Sequence, residues 1–472
     1  MKYETVIGLE VHCELSTKSK IFCGCTTKFG GPPNSHVCPG CAGFPGTLPV
    51  LNRSVVEKAI CAGIALNCGI TRVNSFDRKH YFYPDLPGAY QTTQFYHPVC
   101  TDGWIELANG KRVGIKQIHM EEDASKLVHD NFEDASLVNH NRGSMPLLEI
   151  VSQPDMRSAE EAIDYLERLK AILEYTGVSD CKMQEGSIRA DINISVRPVG
   201  ETKLGVRTEM KNINSLRSIA RAVAFESARH IEAIQEGTPL VQETRRWDDD
   251  AGESYAMREK ENAADYRYFP DPNLPPVVIS EEDIERMRAA LPELPEAKKR
   301  RYIEELGLPE YDTGIITASI HLVRLFERAH ALCGDAKESA NWVMGEALRL
   351  LQQTQTQPED MAFDPDSLGK IIIMVQKNLI NRGTAKKVFA EVFTGNVDPE
   401  AYVEEHNLAL VTDNTAIRAT IGQVLAANEK SVNEYKGGKA QALQFLIGQS
   451  MKALRGQAPA QEVTAVLKEL LG

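Results

Sequence analysis

The stretch RVGIKQIHMEEDASK, residues 112–126, joins an apolar alternation to three consecutive acids. The alternation over residues 112–118 predicts a strand, and Glu121, Glu122 and Asp123 follow at its end. Acidic runs most often face solvent. Three carboxylates at the end of a strand are also placed to hold a hard cation or to handle phosphate. This stretch alone leaves both interpretations open.

Four further predicted strands carry carboxylates: residues 4–15, 146–152, 191–196 and 207–211. In the first, a period of two puts Glu10, His12 and Glu14 on one face, which fits either cross-strand pairing or metal ligation. In the second, Glu149 interrupts an apolar run, where a buried acid is costly unless it is paired or bound to a cation. Charged residues repeatedly placed within strands therefore predict one sheet with a polar concave face, which suits metal ions and nucleotide phosphates.

Two closely spaced cysteine pairs lie near the N-terminus, separated by a loop rich in glycine and proline. The pattern is typical of a closed tetrahedral zinc site; the alternative is four unrelated thiols. A closed site leaves no open coordination position, so it would stabilise a loop with too few apolar residues to fold alone. The predicted Zn²⁺ ligands are Cys23, Cys25, Cys38 and Cys41.

The composition is that of an ordinary soluble protein. A chain of 472 residues is long enough for roughly three domains, and no apolar run approaches the ~20 residues that a membrane span needs. The first residues do not look like a secretory signal, so a cytoplasmic location is expected. The net charge of −13 means that contact with nucleic acid must be local.

The C-terminal part is predicted to be helical. Prolines punctuate the chain near residue 292, and helical periodicity follows over residues 319–352 and 365–393. We predict a first domain over 1–292, a helical domain over 293–405 and a helical tail over 406–472. From residue 430 onward there are six Lys or Arg and three Glu, a net charge of +3, which fits either a solvated face or contact with nucleic acid. The basic residues of this tail include Lys436, Lys439, Lys452 and Arg455.

Five longer motifs carry a resemblance to a known family: GLEVH (8–12), FDRK (76–79), YFYPD (81–85), HMEEDA (119–124) and DYRYFP (265–270). Together they resemble the B subunits of the aspartyl/glutamyl-tRNA amidotransferases, from the first strand to the C-terminus. The resemblance implies an α+β ligase in which residues 1–292 form a catalytic cradle, built on an antiparallel sheet and similar in fold to glutamine synthetase and guanido kinases. It also implies a heterotrimer with a glutaminase A subunit and a small C subunit. The tail is then expected to contact tRNA, with Lys436, Lys439, Lys452 and Arg455 as the candidate residues.

The resemblance further implies a reaction and its residues. ATP phosphorylates the side-chain carboxylate of Glu-tRNA(Gln) or Asp-tRNA(Asn), and ammonia then displaces phosphate. The family's Mg²⁺ ligands fall on His12, Glu122 and Glu149, with Glu10 beside them, and its ammonia passage on Lys79 and Tyr81. Composition alone leaves residues 77–85 open between a half-buried strand and the lining of a polar passage. Many relatives carry a lysine near Gly88, which this chain lacks.

Two missing motifs agree with this reaction. The chain has no P-loop motif and no nucleophile elbow. Without a nucleophile that releases ammonia from glutamine, it is expected to need a partner. Two alternatives remain: a zinc-stabilised tRNA-binding scaffold without catalysis, and a small-molecule ligase of the glutamine-synthetase kind that acts on free glutamate.

Overall fold

The structure is a computed structural model, and it describes residues 2–129, 135–182, 185–259, 266–410, 414–454 and 457–472. The chain divides into two compact units, Met1–Pro295 and Glu296–Gly472. The first is mixed α/β and the second is helical.

A nine-stranded sheet forms the frame of the first unit. Its order is β14-β13-β12-β11-β1-β10-β7-β6-β2, and every neighbouring pair is antiparallel except β12 and β13. The strands are β1 (Tyr3–Glu14), β2 (Gly69–Ile70), β6 (Cys100–Glu106), β7 (Arg112–Glu122), β10 (Pro146–Ser152), β11 (Ile188–Pro198), β12 (Thr208–Lys211), β13 (Glu243–Asp248) and β14 (Glu253–Glu259).

Smaller sheets and four helices make up the rest of this unit in the ranges that the structure describes. The short strands are β3 (Val73–Asn74), β4 (Asp77–His80), β5 (Tyr90–Thr93), β8 (Lys126–His129), β9 (Ser136–Asn139), β15 (Phe269–Pro270) and β16 (Val277–Val278). They pair as β15-β4-β5, β16-β3 and β8-β9. The helices are α1 (Arg53–Ala65), α2 (Ala159–Tyr175), α3 (Leu216–Glu236) and α4 (Glu281–Ala290).

The two faces of the large sheet differ because side chains alternate along each strand. On β1, Ile7, Leu9 and Val11 are buried in one hydrophobic core, which they share with residues of α1, α2 and α3. The intervening positions Glu10 and His12 point to the opposite face. Burying one face against helices thus leaves the other for polar side chains.

Local signals place the helices that cover the apolar face. Ser158 caps α2 by accepting a hydrogen bond from the backbone of Glu161, the contact that an N-cap serine makes with the third residue of a helix. Ser215 caps α3 in the same way, and Gly237 ends that helix with a left-handed φ of 72°, a conformation that glycine adopts without strain.

The second unit contains helices throughout. They are α5 (Pro295–Glu304), α6 (Glu310–Thr317), α7 (Ile320–Cys333), α8 (Ala336–Trp342), α9 (Leu348–Thr354), α10 (Asp366–Gln376), α11 (Arg382–Gly395), α12 (Pro399–Glu405), α13 (Asn414–Ala427), α14 (Glu429–Lys436), α15 (Ala440–Ala453) and α16 (Ala460–Leu471). One π-helical turn, Val343–Ala347, joins α8 to α9. The last four helices share a core that includes Ile417, Leu446 and Leu467. Among the described residues, no helix combines the length and apolarity that crossing a membrane requires.

Candidate active site

Three neighbouring strands align the central polar groups in one row. β1 lies between β10 and β11, and β10 lies next to β7. The register pairs His12 with Glu149 and Glu149 with His119. Leu147, two residues from Glu149, pairs with Glu121. Since cross-strand partners share a face, all these side chains project from the polar face of the sheet.

His12, Glu121 and Glu149 form a compact donor set. The His12 Nε2 atom lies 3.4 Å from Glu121 Oε1 and 3.6 Å from Glu149 Oε2. One ligand atom from each residue lies within 4.8 Å of the other two, so a single cation could contact all three. Two carboxylates and one imidazole suit a divalent cation such as Mg²⁺ or Mn²⁺.

The protonation of this cluster follows from burial and charge. Burial works to lower the pKa of His12, but the charges of Glu149 and Glu121 outweigh it and raise the pKa to about 9. Burial works to raise the pKa of Glu149, but the charges of His119 and His12 hold it well below its usual range. Glu149 is therefore the fixed anion around which both imidazoles are organised.

His119 orients Glu149 from the other side. Its Nε2 atom lies 2.6 Å from Glu149 Oε2, and its Nδ1 atom lies 3.1 Å from the backbone oxygen of Gln94. Burial alone would lower the pKa of His119, yet Glu149 raises it. An imidazolium can donate to both acceptors at once, which fixes the carboxylate that it holds.

Glu122, which the resemblance placed among the magnesium ligands, lies outside this cluster, and Glu121 stands in its place. The predicted strand continues through the acids to Glu122, so the period of two sends Glu121 to the polar face and Glu122 to the other. Glu122 Oε1 accepts a hydrogen bond from the Thr92 backbone at 2.9 Å, and Oε2 accepts one from Ser144 Oγ at 2.7 Å. Burial raises the pKa of Glu122. Its contacts tie β5 and the loop before β10 to the end of β7.

Glu10 lies on the same face as His12 but is not part of the donor set. Its Oε1 atom accepts a hydrogen bond of 2.8 Å from Asn193 Nδ2. Its cross-strand partners are Val151 and Asp191. Glu10 thus extends the polar face from β1 toward β11.

Lys79 and Tyr81 come together with a third residue, which is aromatic. The Lys79 Nζ atom lies 4.9 Å from the ring centre of Tyr266 and 5.7 Å from that of Tyr81. The Lys79 charge opposes the effect of burial and of Glu149, which together raise the pKa of Glu121. The predicted passage residues therefore lie beside the acid cluster.

The four cysteines of the N-terminal loop also converge. The Cys41 sulfur lies 3.8 Å from the Cys38 sulfur and 4.0 Å from the Cys25 sulfur, and Cys23 belongs to the same group. A tetrahedral zinc with Zn–S bonds of about 2.3 Å separates its sulfurs by about 3.8 Å. The donor type, number and spacing therefore fit Zn²⁺.

A buried lysine accompanies the cysteines. Lys20 is fully buried, and its Nζ atom donates to the backbone oxygen of His140 at 3.0 Å and lies 3.8 Å from the Cys41 sulfur. Four thiolates on one zinc carry a net charge of −2, which a neighbouring ammonium offsets. Sequence spacing gave no sign of this residue.

The predicted tRNA contacts belong to the last helices. Lys436 ends α14, Lys439 is the N-cap of α15 and Lys452 lies in the last turn of α15. All three are exposed, and Lys439 Nζ lies 3.9 Å from Glu434 Oε1. Arg455 lies outside the described residues.

The sequence names Glu121 among three candidate acids without selecting it, and it does not assign His119 to the site. Strict alternation from the buried residues Val113 and Ile115 would place both on the apolar face. The register of β7 against β10 shifts between Ile115 and Gln117, so the alternation reverses: Ile118 and Met120 enter the core, and His119 and Glu121 lie on the polar face. Local periodicity does not reveal such an irregularity.

The polar sheet face of this mixed α/β unit carries a donor set that suits a divalent cation. In a comparison with known families, the family model described as the GatB/GatE catalytic domain matches residues 5–285. A second model, described as the GatB domain, matches residues 324–471.

Full-length relatives identify the family. The chain is 56% identical over 472 residues to the B subunit of the aspartyl/glutamyl-tRNA(Asn/Gln) amidotransferase of Lachnoclostridium phytofermentans, covering 99% of each chain. It is 54% identical to the corresponding protein of Lachnospira eligens, with 99% of each chain covered. It is 53% identical to that of Caldicellulosiruptor bescii, covering 100% of this chain and 99% of the relative. The chain belongs to the family of aspartyl/glutamyl-tRNA(Asn/Gln) amidotransferase B subunits.

Proposed function

We propose that this chain is the catalytic component of a glutamine-hydrolysing ligase that amidates Glu-tRNA(Gln), Asp-tRNA(Asn) or both. ATP phosphorylates the side-chain carboxylate of the misacylated residue, and ammonia then displaces phosphate to form the amide. The observation that carries the proposal is the grouping of His12, Glu121 and Glu149 on the polar sheet face, within a chain whose relatives are named for this amidotransferase.

The chemistry explains why ATP is needed. Ammonia cannot displace oxide from a carboxylate at neutral pH, whereas phosphate leaves readily from an acyl phosphate. When bound, Mg²⁺ would offset the negative charge on the transferred phosphoryl group. His12, Glu121 and Glu149 would hold that cation. His119 keeps Glu149 oriented through the 2.6 Å contact, so the ligand geometry does not depend on the substrate.

Lys79, Tyr81 and Tyr266 are proposed to line the route by which ammonia arrives. Aromatic faces attract a cation but offer ammonia little that would trap it, and the neighbouring carboxylate of Glu121 lies at the end of the route. Lys79 already occupies the cation position over two rings. Its ammonium would exclude ammonium ions and leave passage to neutral ammonia, the form that is nucleophilic.

The proposed reaction requires partner molecules, because this chain would use ammonia that another subunit releases. The ammonia would come from a glutaminase A subunit, with a small C subunit completing the heterotrimer. The tail helices would contact tRNA through Lys436, Lys439, Lys452 and Arg455. We also propose that the first unit shares the fold of glutamine synthetase and guanido kinases, because its largely antiparallel sheet bears helices on one face and the polar groups of the donor set on the other.

The test uses the amidotransferase complex purified through this chain. It is incubated with labelled ATP and, separately, Glu-tRNA(Gln), Asp-tRNA(Asn) or free glutamate, and acyl phosphate is trapped with hydroxylamine. Wild-type protein is expected to form ADP and the trapped product only with a misacylated tRNA. Absence of tRNA-dependent ADP would favour the non-catalytic scaffold, and turnover of free glutamate would favour the small-molecule ligase.

Variants of three neighbouring acids test the site itself. Glu121→Gln and Glu149→Gln are expected to lower tRNA-dependent ATP cleavage by more than about 100-fold, since even partners outside a ligand set cost about 10- to 100-fold. Glu122→Gln is the matched control, because the glutamine oxygen can still accept from the Thr92 backbone while its amide nitrogen donates to Ser144 Oγ. Equal activity of Glu121→Gln and Glu122→Gln would remove Glu121 from the site.

A further inference from the structure

An arginine on the strand beside β1 faces the donor set. Arg189 of β11 is the cross-strand partner of His12, so its side chain projects from the same polar face. Directly opposed side chains begin about 5 Å apart. The Arg189 side chain is 43% exposed, which leaves it accessible from the site's open side.

A buried carboxylate anchors this arginine by one nitrogen. Arg189 Nη2 donates to both oxygens of Asp123, at 3.2 and 3.3 Å, and Asp123 is 8% exposed. Among the described residues, the Nε and Nη1 atoms of Arg189 have no hydrogen-bond partner. The guanidinium is thus held in place while donors remain for a ligand.

A second arginine shares the same carboxylate. Arg142 Nε donates to Asp123 Oδ2 at 2.5 Å, and Arg142 Nη2 lies 3.6 Å from Glu14 Oε1. Two guanidinium groups therefore meet one close carboxylate, with Glu14 as a more distant acid. Asp123 keeps a partner if Arg189 is removed, so this part of the sheet stays paired.

The local charges indicate which ligand the arginine suits. Glu121 and Glu149 would be balanced by a divalent cation. Arg142 is shared between Asp123 and Glu14, whereas Arg189 contacts Asp123 through Nη2 alone. An anion that bridges the cation and the arginine would satisfy both. A guanidinium matches a phosphoryl group in particular, because its coplanar donors contact two oxygens.

We propose that Arg189 is a further catalytic residue that donates hydrogen bonds to the phosphoryl group transferred from ATP. This inference rests on the proposed function and adds a residue and a role to it. In the step, the bond from the γ-phosphorus to the bridging oxygen of ADP breaks, and a bond to the substrate carboxylate oxygen forms. The electron pair of the broken bond leaves on ADP. Arg189 stabilises the charge on the phosphoryl oxygens between donor and acceptor.

A pair of conservative variants on one strand tests the proposal. Arg197 lies on the same face of β11, eight residues or about 26 Å further along, and pairs with Glu4 at 2.6 Å. In the complete complex, Arg189→Lys is expected to lower kcat for tRNA-dependent ADP formation by at least about tenfold, and Arg189→Ala by about 100- to 1000-fold. Arg197→Lys should stay within twofold of wild type. Affinity for tRNA should be unchanged in all three.

Chemical rescue separates catalysis from a structural role. Guanidinium ion at millimolar concentration, which is below denaturing levels, should raise the kcat of Arg189→Ala several-fold. It should leave the kcat of Glu149→Gln unchanged. Wild-type kcat in Arg189→Ala, or a loss confined to tRNA affinity, would overturn the proposal. So would failure of guanidinium to rescue a correctly folded Arg189→Ala. If the wild-type complex itself forms no tRNA-dependent ADP, the proposed function fails instead.

Discussion

A buried carboxylate in α3 is expected to make the stability of this helix depend on pH. Glu226 has a fully buried side chain and accepts hydrogen bonds from Arg229 Nη2 at 2.5 Å, His230 Nε2 at 3.1 Å and Ser254 Oγ at 3.1 Å. Arg229 and His230 lie on α3 itself, and the contact with Ser254 joins α3 to β14 at the edge of the large sheet. Burial works to raise the pKa of Glu226, but the hydrogen bonds from His230 and Arg229 outweigh it and lower the pKa from 4.5 to about 2.

The lowered pKa sets both the size and the direction of the effect. A fall from 4.5 to about 2 corresponds to about 3 kcal/mol of stabilisation, at about 1.4 kcal/mol per tenfold change in proton affinity. The ionised form is favoured in the fold, so this contribution is complete above pH 5. It decreases as the pH falls, to about half at pH 3, and is lost below pH 2.

Glu226→Gln tests this reasoning because it removes the charge and preserves the shape. Arg229 and Arg245 still have Glu243 as a partner, at 3.3 and 2.9 Å. Hydrogen exchange of the α3 backbone amides measures the free energy of local opening. The variant should lower it by about 3 kcal/mol at pH 7 and by about half that at pH 3.

The control is Glu232→Gln, an exposed position on the same helix, for which a change below about 0.5 kcal/mol is expected. If the two variants behave alike at pH 7, Glu226 does not hold α3 in place. If Glu226→Gln lowers the free energy of local opening by the same amount at pH 7 and pH 3, the charge is not the source of the stabilisation.

Three further predictions concern the cysteine cluster and the tail. Cys38→Ser should lower zinc from one ion per chain and lower the melting temperature, as metal analysis and a thermal scan would show; full zinc and unchanged melting would place zinc elsewhere. Lys20→Met should lose zinc to a chelator faster than the wild type, because the thiolates lose their neighbouring ammonium, while exposed Lys18→Met should match the wild type; equal rates would deny Lys20 this role. Replacing Lys436, Lys439 and Lys452 with Gln should lower tRNA affinity and reduce the salt slope by about 0.9 for each lysine that meets a phosphate; an unchanged slope would make this a solvated surface.

The strands could be predicted closely where apolar residues alternate strictly with polar ones. β10 occupies residues 146–152 as predicted, and β1 differs from its prediction by one residue at each end. The parallel pairing of β12 with β13 gave no such signal, because pairing direction depends on the connection through α3 and the residues that follow. Local periodicity carries no information about that choice.

The sequence and the resemblance together named two of the three members of the donor set, His12 and Glu149. They placed the third on Glu122 rather than Glu121, because both acids match the motif and only the strand register separates them. The anchor formed by Asp123 and Arg189 depends on residues 66 positions apart, a pairing that no local pattern reveals.

The position of the donor set within the sheet explains why register matters so much. β1 and β10 are inner strands, each hydrogen-bonded on both sides, so backbone pairing fixes His12 and Glu149 before any ligand arrives. A shift of one residue in β7 would exchange Glu121 for Glu122 and His119 for an apolar neighbour. The buried residues Ile118 and Met120 on the opposite face oppose that shift, since it would carry them out of the core. The hydrophobic core therefore selects which carboxylate enters the site, and the helices that cover the apolar face contribute to the chemistry by holding this register.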